Sequence, residues 1–137
     1  MKIRAINLEA EYETLSPWWT KRGLQPPQRL ILSGANGFAV CHGIDIVMGW
    51  IYRSQNVAFL EWITSNPSIA ATSSTVPEAI AVLLDFTNCY AGSQACNVIL
   101  CGTQDNGSLG RFMSKRGWAQ CGGHPHQFLV KAVTDEN

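Results

Sequence analysis

The spacing of apolar residues changes along the chain, and each change indicates a different element. Residues 1–6 alternate polar and apolar side chains, which predicts a first β-strand. Between Glu11 and Arg22 the apolar side chains recur at helical spacing, which predicts a helix that starts or kinks at Pro17. Pro26 and Pro27 cannot continue a helix, so we expect a stiff connection there.

Three segments rich in β-branched and aromatic residues come next. They predict strands at residues 37–42, 46–52 and 57–64. The polar breaks between these segments are short enough to be hairpin turns, so we expect an antiparallel meander.

The second half of the chain returns to a helical period. From Val76 to Ala91 the apolar residues form one stripe, which predicts a helix with a single buried face. Thr75 and Glu78 have the spacing of a capping box, in which the threonine hydroxyl caps the helix. The remaining segments predict a buried strand, a short helix and a last strand at residues 97–101, 107–116 and 127–133.

Composition limits the classes of protein that this chain can represent. Its 137 residues, 46% of them hydrophobic, predict one domain over residues 1–137. Ten basic and ten acidic residues balance, so a nucleic acid is not favoured as a partner. No apolar segment approaches the roughly 18 residues of a membrane span, and the start lacks the apolar run of a signal peptide. Five cysteines without a Cys-x-x-Cys pair favour a reducing compartment, so we expect a cytoplasmic protein.

Two local sequences resemble phrases of the GNAT acyltransferase superfamily. The first is Glu-Trp-Ile-Thr-Ser-Asn-Pro at residues 61–67, and the second is Asn106 followed by Phe-Met-Ser-Lys-Arg-Gly-Trp at residues 112–118. The order of the predicted elements is also that of the GNAT fold. Short GNAT-like proteins of bacteriophages share the Trp-Trp helix, the Pro-Pro connection and the Leu-Glu-Trp-Ile strand of this sequence. The resemblance implies an α/β fold with a mixed, mostly antiparallel sheet, flanking helices, and a parallel strand pair that splays at its carboxyl end.

The resemblance also implies a site for acetyl-CoA as co-substrate. In the superfamily the thioester lies between the fourth and fifth strands, and the pyrophosphate lies on amides at the start of the following helix, where the helix dipole favours an anion. The loop at residues 70–74 lacks the glycines and the arginine that are usual there. The cofactor-binding residues implied are Ile63, Ser65, Ser73, Ser74, Thr75, Val76 and Asn106.

Glu61 is the candidate catalytic base for the transfer. It lies between Leu60 and Trp62 on the strand that resembles the thioester-side strand, where partial burial would raise its pKa towards neutrality. The alternative is an exposed or salt-bridged glutamate with a structural role. In the superfamily a tyrosine often acts as the general acid, and Met113 stands at that position here. Methionine cannot donate a proton, so Tyr52, Tyr90 or solvent would have to take the role of the acid.

Trp18 and Trp19 are candidate substrate-binding residues. They are adjacent on the predicted first helix, which in this fold borders the acceptor site, so they predict an aromatic wall; the alternative is that both fill the core. His124, His126 and Cys121 could suit a metal, but the proline and glycines among them indicate a turn, and we predict no metal site. Cys101 lies in a buried strand, where a thiol is usually inert.

The sequence therefore predicts an N-acyltransferase that moves an acetyl group from acetyl-CoA to a small-molecule or protein amine. One alternative is a catalytically degenerate GNAT-fold interaction protein of phage type, for example a host-defence antagonist. Another is a phage DNA-base-modifying enzyme, which the neutral charge balance disfavours. We expect no membrane partner, and the sequence is compatible with a homodimer.

Overall fold

The computed structural model describes residues 1–70, 72–104, 107–121 and 126–135, and its strands form one seven-stranded sheet. The strands are β1 (Lys2–Ala5), β2 (Asn36–His42), β3 (Ile44–Ser54), β4 (Val57–Ser65), β5 (Val98–Gln104), β6 (Ala119–Gln120) and β7 (His126–Ala132). The helices are α1 (Leu8–Leu15), α2 (Pro17–Thr20), α3 (Arg29–Leu32), α4 (Thr75–Ser93) and α5 (Ser108–Ser114). No helix in the described part of the chain is long and apolar enough to cross a membrane.

The strands lie in the order β1-β2-β3-β4-β5-β7-β6. Neighbouring strands are antiparallel except for β4 and β5, which are parallel and joined through α4. The predicted mixed, mostly antiparallel sheet with one parallel pair is therefore confirmed.

Two local predictions need correction. The helix predicted from Glu11 to Arg22 begins earlier, at Leu8, and ends earlier, at Thr20. The start or kink predicted at Pro17 is confirmed as a boundary between two helices, because Pro17 has no amide to continue α1 and occupies the first turn of α2. The capping box at Thr75 is wrong, since Thr75 is already the first residue of α4 and Ser74 is its N-cap. The Ser73 hydroxyl accepts a hydrogen bond from the Thr75 amide at 3.2 Å.

The two faces of the sheet pack against different helices. On β3, Met48 and Trp50 pack with α1, α2 and α3, whereas Ile51 packs with α4 and α5. This follows from the strand geometry, since successive side chains point to opposite faces. Glu61 of β4 lies directly across from Trp50 and therefore projects from the face that α1, α2 and α3 cover.

A β-bulge interrupts β4 immediately after Glu61. Glu61 is opposite Trp50 and Thr64 is opposite Met48, so β4 has one residue more than β3 over this stretch. Within the bulge, Trp62 has a φ of 57°, a left-handed conformation that is rare for a large side chain. Opposite it, a side chain on Gly49 would approach Leu83 to 3.0 Å, so the glycine leaves room for the bend.

Candidate active site

The parallel strands β4 and β5 separate at their carboxyl ends. Their pairing extends only as far as Leu60 and Cys101, although β4 continues to Ser65 and β5 to Gln104. The bulge bends β4 at the point where the pairing stops. In the described part of the chain, the backbone groups of β4 that face this gap have no strand partner. The Ser65 carbonyl accepts from Arg22, and the others are available to another hydrogen-bonding group.

A cavity of about 630 Å³ lies at the gap. Its wall combines the separated strand ends with α2, the connection after α2 and the start of α5. The described lining residues are Trp19, Leu24, Gln25, Leu60, Glu61, Trp62, Ile63, Gly102, Thr103, Gly107, Ser108 and Leu109. This volume falls within the range of sites that bind small molecules.

Glu61 is the carboxylate of this cavity. Burial of the carboxyl raises the pKa of Glu61 above its ordinary value of 4.5, and a hydrogen bond from the Gly102 backbone opposes this by a smaller amount. Among the described residues, no cation lies within ion-pair distance of Glu61. The geometry therefore favours a carboxylate that can exchange a proton over the salt-bridged alternative.

Cys101 is close to Glu61 but is not a competing nucleophile. Burial, and to a smaller extent the charge of Glu61, raise the pKa of the Cys101 thiol to about 12. A thiol with such a pKa is protonated at neutral pH and is a weak nucleophile.

The two tyrosines considered as proton donors are held by other contacts. The Tyr52 hydroxyl donates to the Ile31 carbonyl at 2.9 Å and accepts from the Trp62 indole at 3.1 Å. The Tyr90 hydroxyl is 2.7 Å from the Asn36 amide nitrogen and is not among the described cavity residues. Met113 is fully buried in the core.

Thr103 is a cavity residue that the sequence analysis missed. Its side chain is 6% exposed, and its hydroxyl has no hydrogen-bond partner among the described residues. A threonine on a strand is ordinary, so only its position after the apolar segment 98–101, at the carboxyl end of β5, could have indicated a role. The hydroxyl is a hydrogen-bonding group that a ligand in the cavity could satisfy.

The start of α4 adjoins the separated part of β4. Val76 and Ile63 pack against the same hydrophobic cluster, which joins the first turn of the helix to the strand end. The Thr75 amide donates to Ser73, whereas the amides of Ser74 and Val76 have no acceptor among the described residues. This helix end therefore has donors and a partial positive charge available for an anion.

The other residues named from the sequence lie in different environments. Ser65 receives two hydrogen bonds from Arg22, at 2.5 Å to its hydroxyl and 3.2 Å to its carbonyl. Trp19 lines the cavity, whereas Trp18 packs in the core and is not among the described lining residues. Asn106 lies outside the described residues.

The residues considered as metal ligands, Cys121, His124 and His126, lie near the end of the chain. His124 lies outside the described residues, as do the glycines before it. Among the residues that the structure describes, no group of three or more potential metal ligands lies close together.

The sequence matches no family model, and no curated protein matches it. Solved structures do match over nearly the whole chain. Aminoglycoside 6'-acetyltransferase type Ii is similar with a TM-score of 0.74 at 12% identity, covering 100% of both chains. The ribosomal-protein-S18-alanine N-acetyltransferase from Escherichia coli gives a TM-score of 0.73 at 7% identity, covering 99% of this chain and 96% of that chain. An acetyltransferase of the GNAT family from Staphylococcus aureus MU50 gives a TM-score of 0.74 at 14% identity, covering 97% of this chain and 99% of that chain.

At these identities the likeness concerns the fold and not the substrate. The neighbours share the acetyltransferase description, and one is named as GNAT. Three features agree with a GNAT fold: the strand order, the parallel pair β4 and β5, and the gap at the carboxyl end of that pair. This chain has the GNAT fold.

Proposed function

We propose that this protein is an N-acetyltransferase that moves an acetyl group from acetyl-CoA to an amine, with Glu61 as the base. The observation that carries the proposal is the gap between β4 and β5, which holds a cavity with a half-buried carboxylate of raised pKa. The fold supports the reaction type, because the similar solved structures are acetyltransferases.

The described residues fit acetyl-CoA in two respects. The free edge of β4 between Glu61 and Ser65 offers backbone donors and acceptors for the amide groups of the cofactor's pantetheine arm. The available amides of Ser74 and Val76, at the positive end of α4, suit its pyrophosphate. No glycine occurs at residues 70–74, but the small side chains of Ser73 and Ser74 leave the helix end accessible.

Acetyl-CoA would supply the acetyl group as a thioester. Glu61 would accept a proton from the attacking amine, either directly or through one water. Its raised pKa suits this role, because a base is most effective when its pKa approaches the working pH. The bulge places Trp62 and Ile63 opposite the single residue Gly49, and a backbone amide of these two residues is a candidate donor to developing negative charge.

The transfer also needs an acid that protonates the leaving thiolate. Met113 is buried and cannot donate a proton, whereas the Thr103 hydroxyl lines the cavity and lacks a partner among the described residues. We propose that Thr103 donates a hydrogen bond within the site and that solvent protonates the leaving thiolate.

A pair of variants at Ser74 tests the role of the helix end. Ser74→Pro removes the backbone amide, and the φ of −70° at this position is one that proline adopts readily. We expect acetyl-CoA affinity to fall by about 10-fold to 100-fold, because a lost hydrogen bond to a charged group costs about 1.5–3 kcal/mol. Ser74→Ala keeps the amide and should leave the affinity nearly unchanged. Equal losses from the two variants would argue against recognition through the backbone.

The reaction itself is tested by incubating the protein with acetyl-CoA and a panel of primary amines, followed by mass spectrometry of the amines. The proposal predicts at least one acetylated amine that forms faster than in the absence of protein. Binding of acetyl-CoA without acetylation of any amine or of any added protein would instead favour a GNAT-fold binding protein that has lost catalysis.

A further inference from the structure

We infer, on the basis of the proposed function, that the acceptor is a small monoamine carrying an aromatic or aliphatic group, and that Trp62 selects it. Polyamines and other acceptors with several positive charges would be poor substrates. The described wall of the cavity supports this through its apolar surface, its fixed indole and its charge.

The acceptor side of the cavity exposes large apolar side chains. Trp62 is 37% exposed and Leu24 is 56% exposed, and both line the cavity together with the buried Trp19. Apolar surface that stays exposed beside a concave site is typical of ligand contact. An acceptor with an apolar group would cover these side chains, whereas a fully polar acceptor would leave them in water.

The indole of Trp62 is held in one orientation. Its Nε1–H donates to the Tyr52 hydroxyl, which in turn donates to the Ile31 carbonyl. The left-handed backbone at Trp62 has an energetic cost, and such strain is concentrated at functional sites. A ring held in this way loses little freedom when a ligand stacks on it, which favours binding.

The charge of the described lining residues matches one ammonium group. Glu61 is the single carboxylate among the described lining residues. Near the carboxyl end of β4, Arg22 donates to Ser65 and adds a positive charge. A polyamine would place further ammonium groups where no carboxylate of the described wall could pair with them, and an unpaired charge that loses water is strongly disfavoured.

The test compares three amines that separate charge from apolar surface: 2-phenylethylamine, ethanolamine and spermidine. Binding to the full chain is measured by calorimetry without acetyl-CoA, and acetyl transfer is then measured by mass spectrometry. We expect 2-phenylethylamine to bind at least 10-fold more tightly than the other two, and its kcat/KM for transfer to lead by a similar factor.

Variants at Trp62 test whether this side chain causes the preference for 2-phenylethylamine. Trp62→Ala should weaken binding of 2-phenylethylamine by about 10-fold to 100-fold, the range for uncovering a large apolar group. Trp62→Phe keeps an aromatic ring but loses the hydrogen bond from Nε1 to Tyr52, so its affinity should lie between those of wild type and Trp62→Ala. Leu30→Ala removes a side chain that is 81% exposed and is not among the described cavity residues, and should change nothing.

The possible outcomes separate this inference from the proposed function. Tight binding of 2-phenylethylamine that depends on Trp62, without any acetyl transfer, would support selection of the amine by Trp62 but would contradict the proposed function, and with it the amine's role as acceptor. Transfer to spermidine or ethanolamine at an equal or higher kcat/KM would overturn the inference and leave the proposed function standing. Equal binding of all three amines, or binding that Trp62→Ala leaves unchanged, would also overturn the inference.

Discussion

Replacing Glu61 with glutamine should lower turnover by roughly 10²-fold to 10⁴-fold, the usual contribution of a positioned general base. Glutamine has nearly the same shape and can still occupy the space beside Gly102, but it cannot take a proton from the amine. Acetyl-CoA affinity should stay within about twofold, because the proposed cofactor contacts are backbone groups of β4 and α4. Turnover per folded molecule, measured beside calorimetric affinity, checks both expectations.

The pH dependence of the wild-type rate should report the ionisation of the Glu61 carboxylate. Activity should rise with pH through an acid limb whose midpoint lies above 4.5, because burial raises the pKa of Glu61. That limb should be absent from the residual activity of Glu61→Gln. A variant with unchanged turnover and an unchanged acid limb would remove Glu61 from the mechanism.

The contribution of Glu61 to stability should change with pH in the direction opposite to that of a carboxylate in a structural ion pair. A carboxyl whose pKa is raised on folding favours the folded state while it is protonated, and this contribution is lost as pH rises through the raised value. The difference in melting temperature, Glu61→Gln minus wild type, should therefore increase as pH rises from about 4.5. A relative decrease over the same window would indicate that the ionised carboxylate stabilises the fold.

Gly37→Ala should produce a large loss of stability. A side chain at this position of β2 would come closer than 3.0 Å to three ring carbons of Trp50, and that indole is only 2% exposed, so it cannot move aside into solvent. We expect a loss of about 3 kcal/mol or more in the free energy of unfolding, or roughly 10 °C in Tm for a chain of this length. Because Trp50 lies across from Glu61, the remaining folded protein should also lose activity.

Gly34→Ala is the matched control for this substitution. The nearest atoms to a side chain at Gly34 are 3.7 to 4.0 Å away, which is ordinary contact. Its Tm should stay within about 2 °C of wild type, the range of a substitution that touches no special feature. A large loss at Gly34, or a small one at Gly37, would contradict the close packing of the Trp50 ring on Gly37.

The order and type of most elements could be predicted from the sequence, because the hydrophobic period changes sharply between the meander and α4. The parallel pair and its separation were implied by the family resemblance, which rests on the order of elements and on the phrases at residues 61–67 and 112–118, and the structure confirms both. The two-residue strand β6 was not predicted, since Ala119–Gln120 is too short and too exposed to give a periodic signal.

The bulge at Trp62 could not be predicted from local sequence. Leu60, Glu61 and Trp62 follow one another as in an ordinary strand, and tryptophan has no preference for a left-handed backbone. The room for the bend comes from Gly49 on the neighbouring strand and from Leu83 on α4, which are distant in sequence. Long-range packing of this kind decides the geometry of the site but leaves no local pattern.

The start of α4 and the role of Thr103 have similar explanations. Residues 73–75 are three consecutive hydroxyl residues, and only the backbone conformation decides which of them accepts from a helix amide. The unpaired hydroxyl of Thr103 likewise depends on its tertiary surroundings, which residue type does not reveal.

Calorimetric titration of acetyl-CoA into the wild-type protein tests the central claim most directly, namely that the gap between β4 and β5 is a cofactor site. Saturable binding of one acetyl-CoA molecule per chain is the expected result. At 100 times the dissociation constant the protein should gain about 2.7 kcal/mol of stability, which corresponds to a rise of roughly 9 °C in Tm. No heat of binding and no thermal shift at millimolar acetyl-CoA would contradict it.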